Sequence, residues 1–397
     1  MSRAIVVLLD GLGVGPMEDV PHVRPQDAGA DSLAHALAGH PAPLPNLVSL
    51  GLAHAAPSSG LPATTTPLGC WGRSELGYPG ADSYLGHQVL MGSDVSHVTL
   101  ASFATDIDRY ASHLREAGHA VERLDDRPVL TVDGAMVVAD SLEADPGMNY
   151  NVTGSLRQVG FEDIVKVARQ VREIAPVSRI IAVGGTEIEL GDVLESLDTR
   201  DGVVGVDTPA LGVYEEGVEL LHLGHDFGFE RQAPNLVAAG GLPVALIGKM
   251  ADIVSCDSAE RLPGVDTGDV LASFEEVLRR QGKGLVALNV QELDLAGHRE
   301  SCKDYVGVLE EADASLGRVV PGLTEGDLLI VTGDHGDDPA RGPLHTREEV
   351  PLLCFTPGGA QRRLGTRRTL ADVGATIADW LGAAPTGSGQ SFAEALR

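Results

Sequence analysis

Short runs of branched aliphatic residues, at 5–9, 180–183, 244–247, 285–290 and 328–332, constrain this chain more than any other feature. They lack the apolar–polar alternation of a half-solvated strand, so each reads as a strand buried on both faces, the habit of parallel sheets. Between them lie patterns of helical period. Across 303–320, Val306, Leu309, Asp313, Leu316 and Val320 recur every three or four residues, with Asp313 the polar exception in the stripe. Across 369–381, Leu370, Val373, Ile377 and Leu381 do the same after a polar lead-in at 366–368. Strand and helix patterns in alternation predict an α/β protein.

At roughly 150 residues per domain, 397 residues suggest two or three domains. Between about 99 and 212 the chain carries strand and helix patterns of its own, including helices at 105–117 and 161–174. This predicts an inserted α/β domain, 99–212, within a core made of 1–98 and 213–397. A Pro, Gly and Ser-rich stretch at 57–79 and an acidic, Gly-containing stretch at 198–217 read as loops or hinges. With 43% hydrophobic and 22% charged residues, long disorder and fibrous architectures are excluded. The net charge of -28 would repel a phosphate backbone, which excludes general nucleic-acid binding and weakly favours cations. Cys70, Cys256, Cys302 and Cys354 form no CxxC pair and are expected as reduced thiols. Apolar runs stay far below the ~20 residues needed to cross a bilayer, and the run before Asp10 is too short for a secretion signal. No membrane segment is expected, and the cytoplasm is the expected location.

In open α/β sheets ligands gather where parallel strands end, so acids and histidines just after the apolar runs carry most weight. Asp10 follows IVVLL and opens a glycine-rich turn. Asp294 and His298 follow the run at 285–290, four residues apart, a spacing that aims both at one ion if the segment is helical. Asp334 and His335 follow the run at 328–332, and His345 comes ten residues after His335. Taken singly, each histidine reads as a satisfied core or surface side chain, and Asp10 alone as a turn residue. Together, three aspartates and three histidines are what two divalent ions need to clamp a phosphoryl group in transfer. Mixed carboxylate and imidazole ligands suit Mn²⁺ or Zn²⁺ better than Ca²⁺.

The motifs LLDGLGVG, LPNLVSLGL, ADSYLGH, ADS at 139–141, IGKMADI and GDHGDDP followed by HTREEVPLL resemble the phosphopentomutase family of the alkaline phosphatase superfamily. The resemblance spans most of the chain. It implies an alkaline-phosphatase-like core with a mostly parallel sheet flanked by helices, and a smaller cap. It further implies that Asp10, Asp334 and His335 hold one ion and Asp294, His298 and His345 the other, with manganese as the metal. The family's nucleophile is a threonine in a Lys-Asp-Thr segment. Ala81, Asp82 and Ser83 stand there in this chain, so Ser83 becomes the phosphoryl carrier. The alternative is that Ser83 is only an N-cap.

Asp140 and Ser141 are expected near the sugar, and Lys249 could meet phosphate as a point charge. Asp140 could equally be a turn residue, and Lys249 could simply reach solvent. Arg347 reads as a residue behind the ligands or as an ordinary ion pair.

The chain also departs from the family. Residues 178–185 read SRIIAVGG, with Arg179 as the only cation where the family has an arginine-rich stretch, and the later Arg-Thr-Gly-Asn-Arg stretch has no clear match. The step from Asp294 to His298 is one residue shorter than is usual there and resembles the cofactor-independent phosphoglycerate mutases. The expectation is therefore a divergent branch acting on a small sugar phosphate. It would move phosphate between the 1 and 5 positions of a pentose, with cap closure holding back water. The rivals are a mutase, phosphatase or phosphonate-acting enzyme for another metabolite, and a metal-binding sensor without turnover. The sequence points to no protein partner.

Overall fold

In the computed structural model, which describes residues 2–124, 126–142, 145–186, 188–200, 202–208, 211, 217–225 and 227–397, the strand Arg3–Leu9 is buried at every position. It pairs in parallel with Gly284–Val290 on one side and Asp327–Thr332 on the other. Leu8 stands opposite both Asn289 and Thr332, so the C-terminal ends of all three strands lie side by side. The full sheet runs Glu260–Leu262, Val244–Ile247, Gly284–Val290, Arg3–Leu9, Asp327–Thr332, Val350–Phe355, Cys70–Ser74, Arg363–Arg367. Within it only Val350–Phe355 pairs antiparallel with its neighbours, so the expected mostly parallel α/β sheet is present. Aliphatic side chains of the central strands join Leu33, Phe274 and Leu309 of the helices Ser32–Gly39, Thr267–Arg280 and Cys302–Val319 in one apolar cluster. This sheet belongs to a unit made of Met1–Val95 with Gly228–Arg397.

The second unit, Ser96–Phe227, has its own mixed sheet. There Arg179–Gly185 runs parallel to Asn149–Ser155 and antiparallel to Val218–Gly224. The helices Ile107–Glu116 and Phe161–Ile174 supply Tyr110, Leu114, Ile164 and Val171 to a core that includes Val138, Tyr150 and Ile180.

Some expectations need correction. The strand Val218–Gly224, assigned to the core by a boundary at 212/213, is tied by its ladder to Arg179–Gly185 and so belongs to the insert. Gly212 and Val213 themselves lie outside the described residues. The stretch 198–217 is not simply a loop, because Leu197–Arg200 and Val203–Val206 pair antiparallel. The stretch 57–79 contains the sheet strand Cys70–Ser74. Among the described residues, no helix is long and apolar enough to cross a membrane.

Asp313, the polar exception in a helical stripe, has a structural reason. Its carboxylate accepts hydrogen bonds from the backbone N–H of Asn46 (2.9 Å) and Leu47 (2.7 Å) and from Asn46 Nδ2 (2.8 Å). These are donors in the first turn of the helix Pro45–Leu50, whose preceding residue, Leu44, has no capping side chain. Asp313 therefore caps that helix from across the core. Asp313→Ala should cost about 1–3 kcal/mol of folding stability, because it leaves the Leu47 N–H buried and unpaired. A urea unfolding midpoint unchanged from wild type would contradict this role.

Candidate metal centre

The aligned ends of the three central strands place acids where the backbone turns away from the sheet. Asp10 follows its strand directly, Asp334 comes two residues after Thr332, and Asp294 lies on the short helix Glu292–His298 that follows Val290. Asp10 and Asp334 are fully buried and Asp294 nearly so. Ser83 Oγ lies 3.1 Å from Asp334 Oδ2 and 3.4 Å from Asp10 Oδ1. The other oxygen of Asp10 accepts from Lys249 Nζ (3.0 Å) and Asn289 Nδ2 (2.8 Å). His335 Nε2 faces Asp10 Oδ1 at 3.4 Å and Asp334 Oδ2 at 3.5 Å.

A second cluster adjoins the first through Asp294. His345 Nε2 is 3.2 Å and His298 Nε2 3.6 Å from Asp294 Oδ1, and the two Nε2 atoms are 3.2 Å apart. Each ring turns its other nitrogen to a carbonyl, His345 Nδ1 to Ala81 (3.1 Å) and His298 Nδ1 to Pro343 (3.0 Å). Those carbonyls can only accept, so each Nδ1 carries hydrogen and the two Nε2 atoms are left facing each other and Asp294. Two lone pairs at that separation, beside a carboxylate, repel unless a proton or cation lies between them. Asp294 Oδ1 and His335 Nε2 are buried and make no hydrogen bond. Converging donors of imidazole and carboxylate type fit a divalent cation.

The electrostatics agree. Burial opposes charge on Asp10, yet the Lys249 ammonium chiefly, with help from His335, holds its carboxyl well below the usual range. Burial likewise opposes the His335 imidazolium, but Asp334 and Asp10 push that imidazole up to about 10. Lys249 is raised, against burial, by Asp10 and Asp294. Lysine and imidazole thus balance a concentration of buried negative charge.

Ser83 is not an N-cap. Asp82 fills that position, accepting from Leu85 N–H at 2.8 Å, and Ser83 is the first residue of the helix Ser83–Leu90. This helix can approach the Asp334 turn because Gly86 has no side chain: a Cβ there would lie 2.9 Å from the Asp334 carbonyl oxygen. Arg347 is not an ordinary surface ion pair. It pairs bidentately with Asp19 (2.8 and 2.7 Å) and donates to the carbonyls of Tyr78 (2.8 Å) and Gly80 (2.6 Å), fixing the loop that leads into Ser83. Lys249 turns inward to Asp10 and Asp294 instead of reaching solvent.

Asp140 and Ser141 lie in the inserted unit. Asp140 is fully buried, and its oxygens accept from Phe103 N–H (3.0 and 3.1 Å) and Ser102 Oγ (3.0 Å), so it holds the short turn Phe103–Thr105. Ser141 Oγ is buried without a partner.

Sequence reasoning passed over two residues. His87 stands four residues after Ser83, bonds the Ser83 carbonyl through Nδ1 (2.7 Å), lies 3.0 Å from Asp334 Oδ2, and meets Asn289 through Nε2. The i, i+4 spacing from Ser83 was its signal. Asp337, two residues after His335, belongs to the second cluster with Asp294, His298 and His345. Its signal was the run of acids in GDHGDD.

Residues 2–385 match the profile of the metalloenzyme superfamily. The chain is 30% identical over 426 residues to a phosphopentomutase of Symbiobacterium thermophilum, covering 100% of this chain and 99% of that protein. It is 30% identical over 411 residues to a phosphopentomutase of Desulfitobacterium hafniense, covering 99% of each. Among solved structures it is similar to phosphoglycerate mutase of Leishmania mexicana, with a TM-score of 0.48, 15% identity, and coverage of 98% of this chain and 97% of that one.

Protein stripped of ions with a chelator should gain stability when Mn²⁺ or Zn²⁺ is restored, by about 2.7 kcal/mol at 100 times the dissociation constant. Thermal melts read this as a rise in Tm, and an unmoved Tm at saturating metal would contradict the centre. A second expectation concerns Asp140, whose carboxyl burial raises from 3.8 to about 6. Folding takes up a proton in that window, so this group's contribution to stability falls as pH rises from about 4 to about 6 and is constant above. Asp140→Asn should remove that part of the slope in urea titrations across the range, and an unaltered slope would refute the assignment.

Proposed function

Because this chain belongs to the phosphopentomutase family of the metalloenzyme superfamily, we propose that it moves a phosphoryl group between the 1 and 5 positions of a pentose through a phosphoserine at Ser83. The observation that carries this reading is the position of the Ser83 hydroxyl. It is buried at a helix start, freed from capping by Asp82, and 3.1 Å from Asp334. Asp10, Asp334 and His335 would hold one divalent ion and Asp294, His298 and His345 a second, with Mn²⁺ the first choice and Zn²⁺ the alternative. Bound there, such ions would ease deprotonation of a hydroxyl and neutralise charge on phosphoryl oxygens.

Ser83 Oγ forms a bond to phosphorus as the bond from phosphorus to its previous sugar oxygen breaks, and the serine proton ends on that departing oxygen, which leaves as a hydroxyl. The helix N-terminus at Ser83 favours the negative charge that arrives. Lys249 pairs with a phosphoryl oxygen as a point charge, and Arg347 keeps the loop before Ser83 in register. The phosphoserine then passes its phosphoryl group to the free hydroxyl of a bound sugar monophosphate. The resulting bisphosphate returns its other phosphoryl group to Ser83, which completes the exchange.

Two observations favour a second reading. The strand Arg179–Gly185 offers Arg179 as its only cation, and Asp294 and His298 are four residues apart. Both suit a mutase or phosphatase for a different phosphorylated metabolite. A panel of sugar phosphates and phosphonates assayed with Mn²⁺ separates the readings: no turnover of ribose 5-phosphate or its deoxy form would eliminate the pentose assignment.

Intact-mass measurement after incubation with a bisphosphorylated sugar should show one phosphate adduct on the wild type and none on Ser83→Ala. The same variant should lose turnover by about 10⁴-fold or more, while Ser83→Thr keeps a measurable part. An adduct that survives in Ser83→Ala would move the phosphoryl carrier elsewhere.

A further inference from the structure

The carboxylate of Asp337 is fully buried, and neither of its oxygens has a hydrogen-bond partner. A buried carboxylate without donors is costly enough to require an explanation. Its neighbour shows that this turn supplies donors where a carboxylate is structural. Asp338 accepts from Asp31 N–H (3.0 Å), His35 Nδ1 (2.6 Å) and Ala340 N–H (3.0 Å). Asp337 has no such set, only His298 Nδ1 at 3.6 Å from its Oδ2, although its backbone is firmly held: its N–H is shared between the Gly11 carbonyl (2.9 Å) and Ser32 Oγ (3.0 Å).

The side chain points into the second cluster. An oxygen of Asp337 and one donor atom from each of Asp294, His298 and His345 all lie within 4.8 Å of one another. The helix that carries Asp294 and His298 makes room for it. At Gly297 a Cβ would lie 2.3 Å from Asp337 Cγ, so the carboxylate occupies the space that any side chain there would need. Glycine inside a helix costs about 1 kcal/mol relative to alanine. Here it seats a carboxylate beside two imidazoles.

We propose that Asp337 is a fourth protein ligand of the ion bound by Asp294, His298 and His345, an inference that rests on the reading of this site as a divalent-metal centre. Two imidazoles and two carboxylates neutralise a dication and complete a four-donor set, where a catalytic site commonly offers three protein ligands and one open position. With four protein donors, the chain would hold this ion in the absence of substrate.

The test uses the full-length protein, stripped with a chelator and titrated with Mn²⁺ by calorimetry, with free Mn²⁺ followed by electron paramagnetic resonance. Wild type should take up two ions. Asp337→Asn, nearly identical in shape, should weaken one of them at least tenfold and leave the other unchanged. In a His298→Ala background the same substitution should add no loss at the remaining ion, since both residues serve one site. Gly297→Ala, whose methyl takes the carboxylate's place, gives an independent reading and should cause the same selective loss. Wild-type affinity for both ions in Asp337→Asn, or in Gly297→Ala should the first variant not fold, overturns the assignment. A wild type that binds fewer than two ions overturns instead the dinuclear reading beneath it.

Discussion

The repulsion among four buried carboxylates is the constraint that organises the larger unit. Asp10, Asp294, Asp334 and Asp337 are drawn together because three parallel strands end side by side, and all four are withdrawn from water. Two like charges about 4 Å apart repel by roughly 4 kcal/mol at an effective dielectric constant of 20. Such a cluster persists only where something positive answers it. In this structure Lys249 and the raised imidazole of His335 answer part of it, while burial pushes the Asp337 carboxyl up to about 8 and the Nε2 atoms of His298 and His345 face each other at 3.2 Å. The crowding of these groups is what a divalent ion would relieve.

The surrounding framework serves to keep these groups from relaxing apart. Each cluster histidine is locked in orientation by a backbone carbonyl on its far nitrogen, at Ala81, Pro343 or Gly336. Tyr78 donates to the Asp334 carbonyl at 2.9 Å, and Arg347 grips the carbonyls on either side of Pro79. Positions two shells away thus fix both the donor set and the hydroxyl of Ser83. This is why a loop rich in glycine and proline can present a reactive group in a single place.

Much of the fold was legible from hydrophobic pattern. The strands at 5–9, 244–247, 285–290 and 328–332 sit in the expected sheet because buried parallel strands have no polar face to disguise them. The helix at 161–174 has the expected limits for the same reason: its apolar stripe is clean. The second boundary of the insert was less legible. Val218–Gly224 alternates only weakly and is mostly part-exposed, so nothing local reveals that it completes the insert's sheet. Asp313 looked like a defect in its stripe because its partners, Asn46 and Leu47, are far away in sequence.

By itself, the sequence determined the α/β class, the acids and histidines stationed after the strands, and the family to which the chain belongs, because residue type and period are local properties. Only the tertiary structure decided how those residues group. It gave the N-cap to Asp82 and released Ser83, turned Lys249 inward, committed Asp140 to a turn, and brought Asp337 against Gly297. Each of these depends on which donors and carboxylates meet across long sequence separations, and burial makes an unmatched charge costly only once the chain has folded around it.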